Sequence, residues 1–297
     1  MITTNKGDLM VIEKEYDLIV EKNKDPKSWF YIDYFIHHYD GCLNKCIFCP
    51  LNKKKDYNIL IPKSLGKLEN FLMTHSNQKV MGFYPSGDPY QVLEKKYNLT
   101  SKILSLLEQY QYPVCIITKS DLILKDLEKL ISMNNNSKVF VLFEFSTVDP
   151  ILAKKLEPNA VSPIKRFEAM KTLNRYGIPT GIYFNPILPF LCDNTTNVKK
   201  LLKLGKESGA RFVFPIFGVT LEKGQREYFY HKLEKEFPDI VKKYSETYKN
   251  DYFCYSPNSK KLSKIFKEEA LRLGLVSDIS YLQKNIVPKE KEQVQLF

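Results

Sequence analysis

A chain of 297 residues that is 43% hydrophobic and 13% aromatic can bury a large core, which excludes a disordered protein and suits one α/β barrel or two ordinary domains. Its net charge of +11 comes mostly from lysine, with arginine only at 166, 175, 211, 226 and 272, so bidentate arginine reading of phosphate or bases has few residues to work with. Six cysteines, three of them crowded together, do not resemble a secreted disulfide framework, and no signal-like segment or apolar run of about 20 residues is evident; the reading is a cytoplasmic protein with reduced thiols and no membrane contact.

Residues 1–30 carry mixed charge and a short apolar run at Leu18-Ile19-Val20, and read as an N-terminal extension. Trp29 to Tyr39 reads as a strand rich in aromatic and β-branched residues. It leads into Cys42, Cys46 and Cys49, spaced C-x-x-x-C-x-x-C. Gly41 lets the loop turn tightly, and Pro50 stops a helix or central strand from following. Three clustered thiolates are one ligand short of a closed zinc site or a fully ligated iron–sulfur cluster, which points to a metal with one open position. A zinc site completed by His37, His38, Cys115, Cys192 or Cys254 is the alternative.

From there strand-like and helix-like segments alternate. Strands are predicted at 80–84, 113–117, 139–145, 180–185 and 212–217, with helices at 91–110, 122–133, 163–176 and 195–208. Counting the strand before the cysteines gives six βα units and a parallel sheet over 31–220. Residues 222–249 and 258–275 read as charged amphipathic helices within a C-terminal region, 221–297, that ends in a polar tail.

In a parallel barrel the strand C-termini share one mouth, so polar residues there are candidates for ligand contact. Ser86-Gly87-Asp88-Pro89 ends the second strand: glycine permits close approach, and Asp88 offers an anion to an amine or a ribose diol, or the four form a plain turn. Lys119, ending the third, pairs with a carboxylate or is simply solvated. Ser146, ending the fourth, bonds a ribose hydroxyl or caps a turn, and Asn185, ending the fifth, binds a base or shapes its loop.

The cysteine spacing resembles that of the radical S-adenosylmethionine (SAM) enzymes. Further stretches resemble the spore photoproduct lyase-like branch of that family: Ser86 to Gln91, Ile117 to Ser120 with Leu122 to Leu127, Ser146 with Leu156-Glu157-Pro158, Gly177 to Gly181, and Asn185 to Pro189. The resemblance implies a partial (β/α)6 TIM-type barrel. It also implies a [4Fe–4S] cluster on Cys42, Cys46 and Cys49 with SAM at the fourth iron. SAM's amine would lie near Gly87 and Asp88, its carboxylate at Lys119, its ribose at Ser146 and its adenine beside Ile178 to Ile182. An external electron donor of flavodoxin or ferredoxin type is implied, and nucleic acid is a substrate reading. Two departures count against lesion repair as spore photoproduct lyases perform it. Tyr84 and Pro85 stand where those enzymes carry a hydrogen-donating cysteine, and Pro50 stands where they carry a tyrosine. Among the remaining cysteines, Cys192, in the loop Phe190 to Asp193, is the candidate hydrogen-atom donor.

Overall fold

The computed structural model describes residues 11–17, 19–53, 59–83 and 87–285. The strands in chain order are β1 Val11–Asp17, β2 Ile19–Lys22, β3 Tyr34–His37, β4 Ile59–Ser64, β5 Met81–Gly82, β6 Val114–Thr118, β7 Val139–Phe145, β8 Thr180–Phe184, β9 Phe212–Pro215, β10 Gly218–Thr220 and β11 Phe253–Tyr255. Seven of them form one sheet in the order β2-β3-β5-β6-β7-β8-β9. β2 runs antiparallel to β3, and every later pair is parallel. The six parallel strands, β3 and β5 to β9, are the six expected units, and the sheet is a linear array rather than a closed ring among the described residues. β1 pairs in parallel with β4, and β10 pairs antiparallel with β11, each as a small separate sheet.

Alternation along the strands sorts side chains onto two faces. Cys115 and Ile117 of β6, Phe140 and Leu142 of β7, Tyr183 of β8, and Phe212 and Phe214 of β9 pack together on one face with Phe30, Ile32 and Leu282. Val114 and Ile116, Val141, Phe143 and Phe145, Ile182 and Phe184, and Val213 point the other way, into the larger core with the helices. Both faces of the sheet are therefore covered, which is why these strands read as apolar runs rather than as alternating sequence. Continuing the two-residue period past the strand ends puts Lys119, Glu144, Ser146 and Asn185 on the first face, directly beyond its apolar layer.

The helices arrive where the apolar pattern places them, but several are broken. The segment 91–110 splits into Glu94–Tyr97 and Leu99–Gln109 at Asn98, whose φ is 52°. The segment after β6 begins as a 3-10 turn, Asp121–Asp126, started by Ser120 Oγ accepting from Leu122 N, and becomes α-helical only over Leu127–Asn136. The three asparagines 134–136 therefore end a helix instead of forming a turn. A short helix, Pro150–Leu156, capped by Asp149, precedes Pro163–Arg175. Pro238 divides the C-terminal segment into Gln225–Glu236 and Pro238–Tyr248, as its ring requires. No helix among the described residues is long and apolar enough to cross a membrane. The terminal stretches 1–10 and 286–297 lie outside the described residues.

Candidate metal and cofactor site

The cysteine loop leaves β3 at the C-terminal edge of the sheet. Gly41 has φ 124°, a conformation that a side chain would disfavour, and it brings Cys42 back over the strand ends. Gly87 sits against it so closely that a Cβ there would lie 2.5 Å from Gly41 O. Three separate segments then fix the loop. Gln91 accepts from Leu43 N at 2.9 Å and donates to Gly41 O at 3.0 Å. Asn159 donates to Leu43 O at 2.8 Å, and Ile47 N donates to Leu156 O at 2.9 Å. Asn44 donates to Asp88 at 3.1 Å, and Gln225 donates to Phe48 O at 2.7 Å.

Cys42 and Cys46 are buried and Cys49 half-buried on this loop. Burial, with Asp88 adding to it, pushes the Cys42 thiol up to about 12. Burial also pushes Cys49 up to about 11 and Cys46 well above the ordinary thiol range, Glu157 adding to the latter. Each thiol thus keeps its proton at neutral pH, and a metal bound there would have to displace it. Three soft donors from one braced loop, electrostatically coupled to one another, fit an iron–sulfur cluster. Three of the residues that could have completed a zinc site are engaged elsewhere. His37 pairs with Glu21 at 2.9 Å, His38 packs on the Tyr39 and Phe83 rings, and Cys115 is in the apolar layer of β6. Among the described residues no three His, Cys, Asp or Glu side chains, the three loop cysteines included, are grouped closely enough to hold a single metal ion.

Beside the loop is a charged layer drawn from three strand ends. Lys119 Nζ lies 3.0 Å from Glu144 Oε2 and 3.2 Å from Glu157 Oε1, and over the Phe48 ring. Ser146 Oγ donates to Glu157 at 3.1 Å, Asn185 donates to Glu144 at 2.8 Å, and the buried Arg166 pairs with the other oxygen of Glu157. Burial alone would lower the Lys119 ammonium, but the two carboxylates hold it above the usual lysine range. Burial opposes ionisation of Glu157 too, yet Arg166 and Lys119 bring it down to about 2. Two cations and two carboxylates compensate one another, as buried charge requires. Glu144 retains 18% of its side-chain exposure against 2% for Glu157, so it is the member that faces the opening.

The structure therefore brings Lys119, Ser146 and Asn185 together. Ser86 lies outside the described residues. Gly87 and Asp88 stand against the cysteine loop, but Asp88 is fully engaged. Its carboxylate accepts from Thr118 Oγ1 at 2.7 Å, Tyr90 N and Lys119 N at 2.8 Å each, and Asn44. Asp88 is a brace between two strand ends and the loop, not a free anion in the mouth. Cys192 is sealed in the core with no exposed surface, its backbone held by Leu188 O and Asn197. Arg166 and Gln225 went unread in the sequence, and Glu144, Glu157 and Gln91 were given no role there, although Gln91 and Glu157 lie in the stretches that carry the resemblance. Only Glu144 carries a local signal, a carboxylate interrupting an apolar strand.

By sequence, an uncharacterized protein of Methanocaldococcus jannaschii is 29% identical over 217 residues, 69% of this chain and 77% of that protein. An uncharacterized protein of Mycobacterium tuberculosis is 24% identical over 229 residues, 73% of this chain and 67% of that one. No family model matches the sequence. Two solved structures of spore photoproduct lyase cover 91% of this chain and 81% of theirs, each at 14% identity. One, with bound AdoMet and dinucleoside spore photoproduct, aligns at a TM-score of 0.68, and one with dinucleoside spore photoproduct at 0.67. The fold is that of spore photoproduct lyase. The spore photoproduct lyase likeness extends past the six parallel strands, since it includes most of the C-terminal region, whose helix Gln225–Glu236 rests on the cysteine loop.

Proposed function

We propose that this chain is a radical SAM enzyme, holding a [4Fe–4S] cluster on Cys42, Cys46 and Cys49 and seating SAM between the cysteine loop and the charged layer. Bound there, the two cofactors would supply one-electron reductive cleavage of the sulfonium and a 5′-deoxyadenosyl radical that takes hydrogen from a substrate. The observation that carries the reading is the junction of three thiols on one loop, two buried and one half-buried, with Lys119, Ser146 and Asn185 at adjacent strand ends. Lys119 is the cation for SAM's carboxylate. Glu157 keeps it charged and oriented, and Arg166 holds Glu157 when Lys119 turns to a ligand. Ser146 and Asn185 offer a hydroxyl and an amide to the ribose and adenine side. Phe48, the apolar layer and the C-terminal helix exclude water around them.

Anaerobic reconstitution with iron and sulfide, followed by SAM and dithionite, tests the reading. The expected result is about four irons per chain and 5′-deoxyadenosine as product, both abolished in Cys46→Ala. One zinc without acid-labile sulfide, or no 5′-deoxyadenosine from the wild type, sinks it.

A nucleic-acid substrate is favoured by the charge of +11 and by the dinucleoside held in the solved neighbours. It predicts oligonucleotide binding whose log affinity falls steeply with log salt. Repair by a strand-end cysteine is not part of this reading, because Tyr84 and Pro85 occupy that stretch of the sequence.

A further inference from the structure

A cluster deep in a braced loop must receive its electron from outside, and one surface of the molecule leads straight to that loop. A cleft of about 700 Å³ opens between the segment Tyr90 to Lys95, the turn after β6 and the segment Pro150 to Arg166. Its wall includes Asn44, which lies between Cys42 and Cys46, and Gln91, which bonds to the loop on both sides of Cys42. The opposite segment is bonded to the same loop through Asn159 and Leu156.

The charge of the cleft is one-sided. Arg166 and Glu157 answer each other within the protein. That leaves the exposed Lys95, Lys154 and Lys165 against a single further carboxylate, Asp121. Beside these lysines stand large apolar side chains turned to solvent: Val92 is 53% exposed, Ile151 71% and Ile164 57%. Scattered apolar exposure is ordinary, but Val92 on the cleft wall, with Ile151 and Ile164 next in sequence to the lining residues Pro150, Pro163 and Lys165, makes a surface with a steering charge and a contact area.

We propose that this face docks an acidic electron-carrier protein, with Lys95, Lys154 and Lys165 steering it and Val92, Ile151 and Ile164 making the apolar contact. The proposal rests on the radical SAM reading above. One reduced carrier loses one electron for each SAM cleaved; as the carbon–sulfur bond breaks, that electron completes the lone pair on methionine sulfur and the adenosyl fragment leaves as a radical that takes a hydrogen atom from the substrate. Exposed apolar groups next to the cations favour a folded protein over a bare polyanion, which needs charge alone.

The test compares two reductants on the cluster-loaded protein, with reduced flavodoxin as the acidic carrier and dithionite as a donor too small to need docking. The triple variant Lys95→Glu, Lys154→Glu, Lys165→Glu should lose about tenfold or more of the flavodoxin-driven rate of 5′-deoxyadenosine formation. Its dithionite-driven rate should stay within about twofold of wild type, its affinity for flavodoxin in a direct binding titration should fall about tenfold or more, and the wild-type flavodoxin rate should fall as salt rises. An unchanged flavodoxin-driven rate in the triple variant overturns the docking surface while leaving the SAM reading intact. The surface is equally overturned if the variant loses only single-stranded oligonucleotide binding. Absence of product from wild type with dithionite overturns the SAM reading, and this proposal with it.

Discussion

Lys119 and Glu157 show how much of the site is decided by single buried charges. Replacing Lys119 by Met would leave Glu144 and Glu157 facing each other with only Arg166 to compensate, so a loss of roughly 3 kcal/mol in stability is expected from urea unfolding at neutral pH. Acid should attack the same molecule in two windows. His38, pushed down from 6.5 to about 4 by burial, stays neutral in the fold. The folded state therefore binds fewer protons than the unfolded chain, and stability present above pH 6.5 is lost as pH falls toward 4, by about 3 kcal/mol. Glu157, lowered from 4.5 to about 2, adds stability above pH 4.5 that disappears as pH falls toward 2. Urea midpoints at pH 7 and pH 4.5 should differ strongly in the wild type and much less in His38→Asn; equal shifts in both would remove His38 as the cause. At this scale the sequence was partly legible. Lys119, Ser146 and Asn185 stand out because they follow apolar strands by a residue or two, and strand ends must converge. Glu157 and Arg166 do not, because their role exists only once the segment after β7 folds back under Lys119.

Among the elements, the cysteine loop and the second strand end act as one piece. A methyl group at Gly87 would meet the Gly41 carbonyl at 2.5 Å, and backbone on both sides cannot yield without moving Cys42. Gly87→Ala should therefore lower iron incorporation to well under half of wild type on reconstitution, and Asp88→Asn should do so more mildly, since the amide still accepts but can no longer satisfy all four donors. Iron and sulfide assays check both, and full loading of the Gly87 variant would show that the loop moves independently of the strand. Strand β7 matches its sequence range residue for residue because six apolar and aromatic residues, interrupted only by Glu144, have no other stable home. Helix interruptions were harder to see. Asn98 and the turn at Asp121–Asp126 are set by long-range demands: Lys125 bonds Glu94 at 2.6 Å and Asn98, and Asp126 accepts from Tyr90 at 3.1 Å. Amphipathic periodicity records which face is buried, not where a distant partner breaks the helix.

Over the whole molecule, the C-terminal region is the lid of the cysteine loop, and Gln225 is the hinge-pin of that arrangement. It has no solvent exposure, donates to Phe48 O and to Thr220 O at 2.7 Å each, and accepts from Glu222 N at 3.1 Å. The same helix carries Tyr228, whose hydroxyl is pushed up by burial and by the nearby Cys49 and Cys46. Nothing in the sequence around Gln225 announces this, since a glutamine at the start of a charged helix is ordinary and its partner is 177 residues away. Gln225→Ala would strand two carbonyls and an amide in a dry interface, which costs on the order of 2–3 kcal/mol and falls on the contact between lid and loop. On the proposed cluster reading the loop cysteines are more exposed when that contact opens, so the reconstituted variant should lose iron to a chelator several-fold faster than wild type while its loading under anaerobic conditions stays near normal. Gln225→Glu should be worse than alanine, because a carboxylate would face both carbonyls and can donate to neither. Chelation kinetics that do not separate the three proteins would mean that the lid and the loop are held together by apolar packing alone.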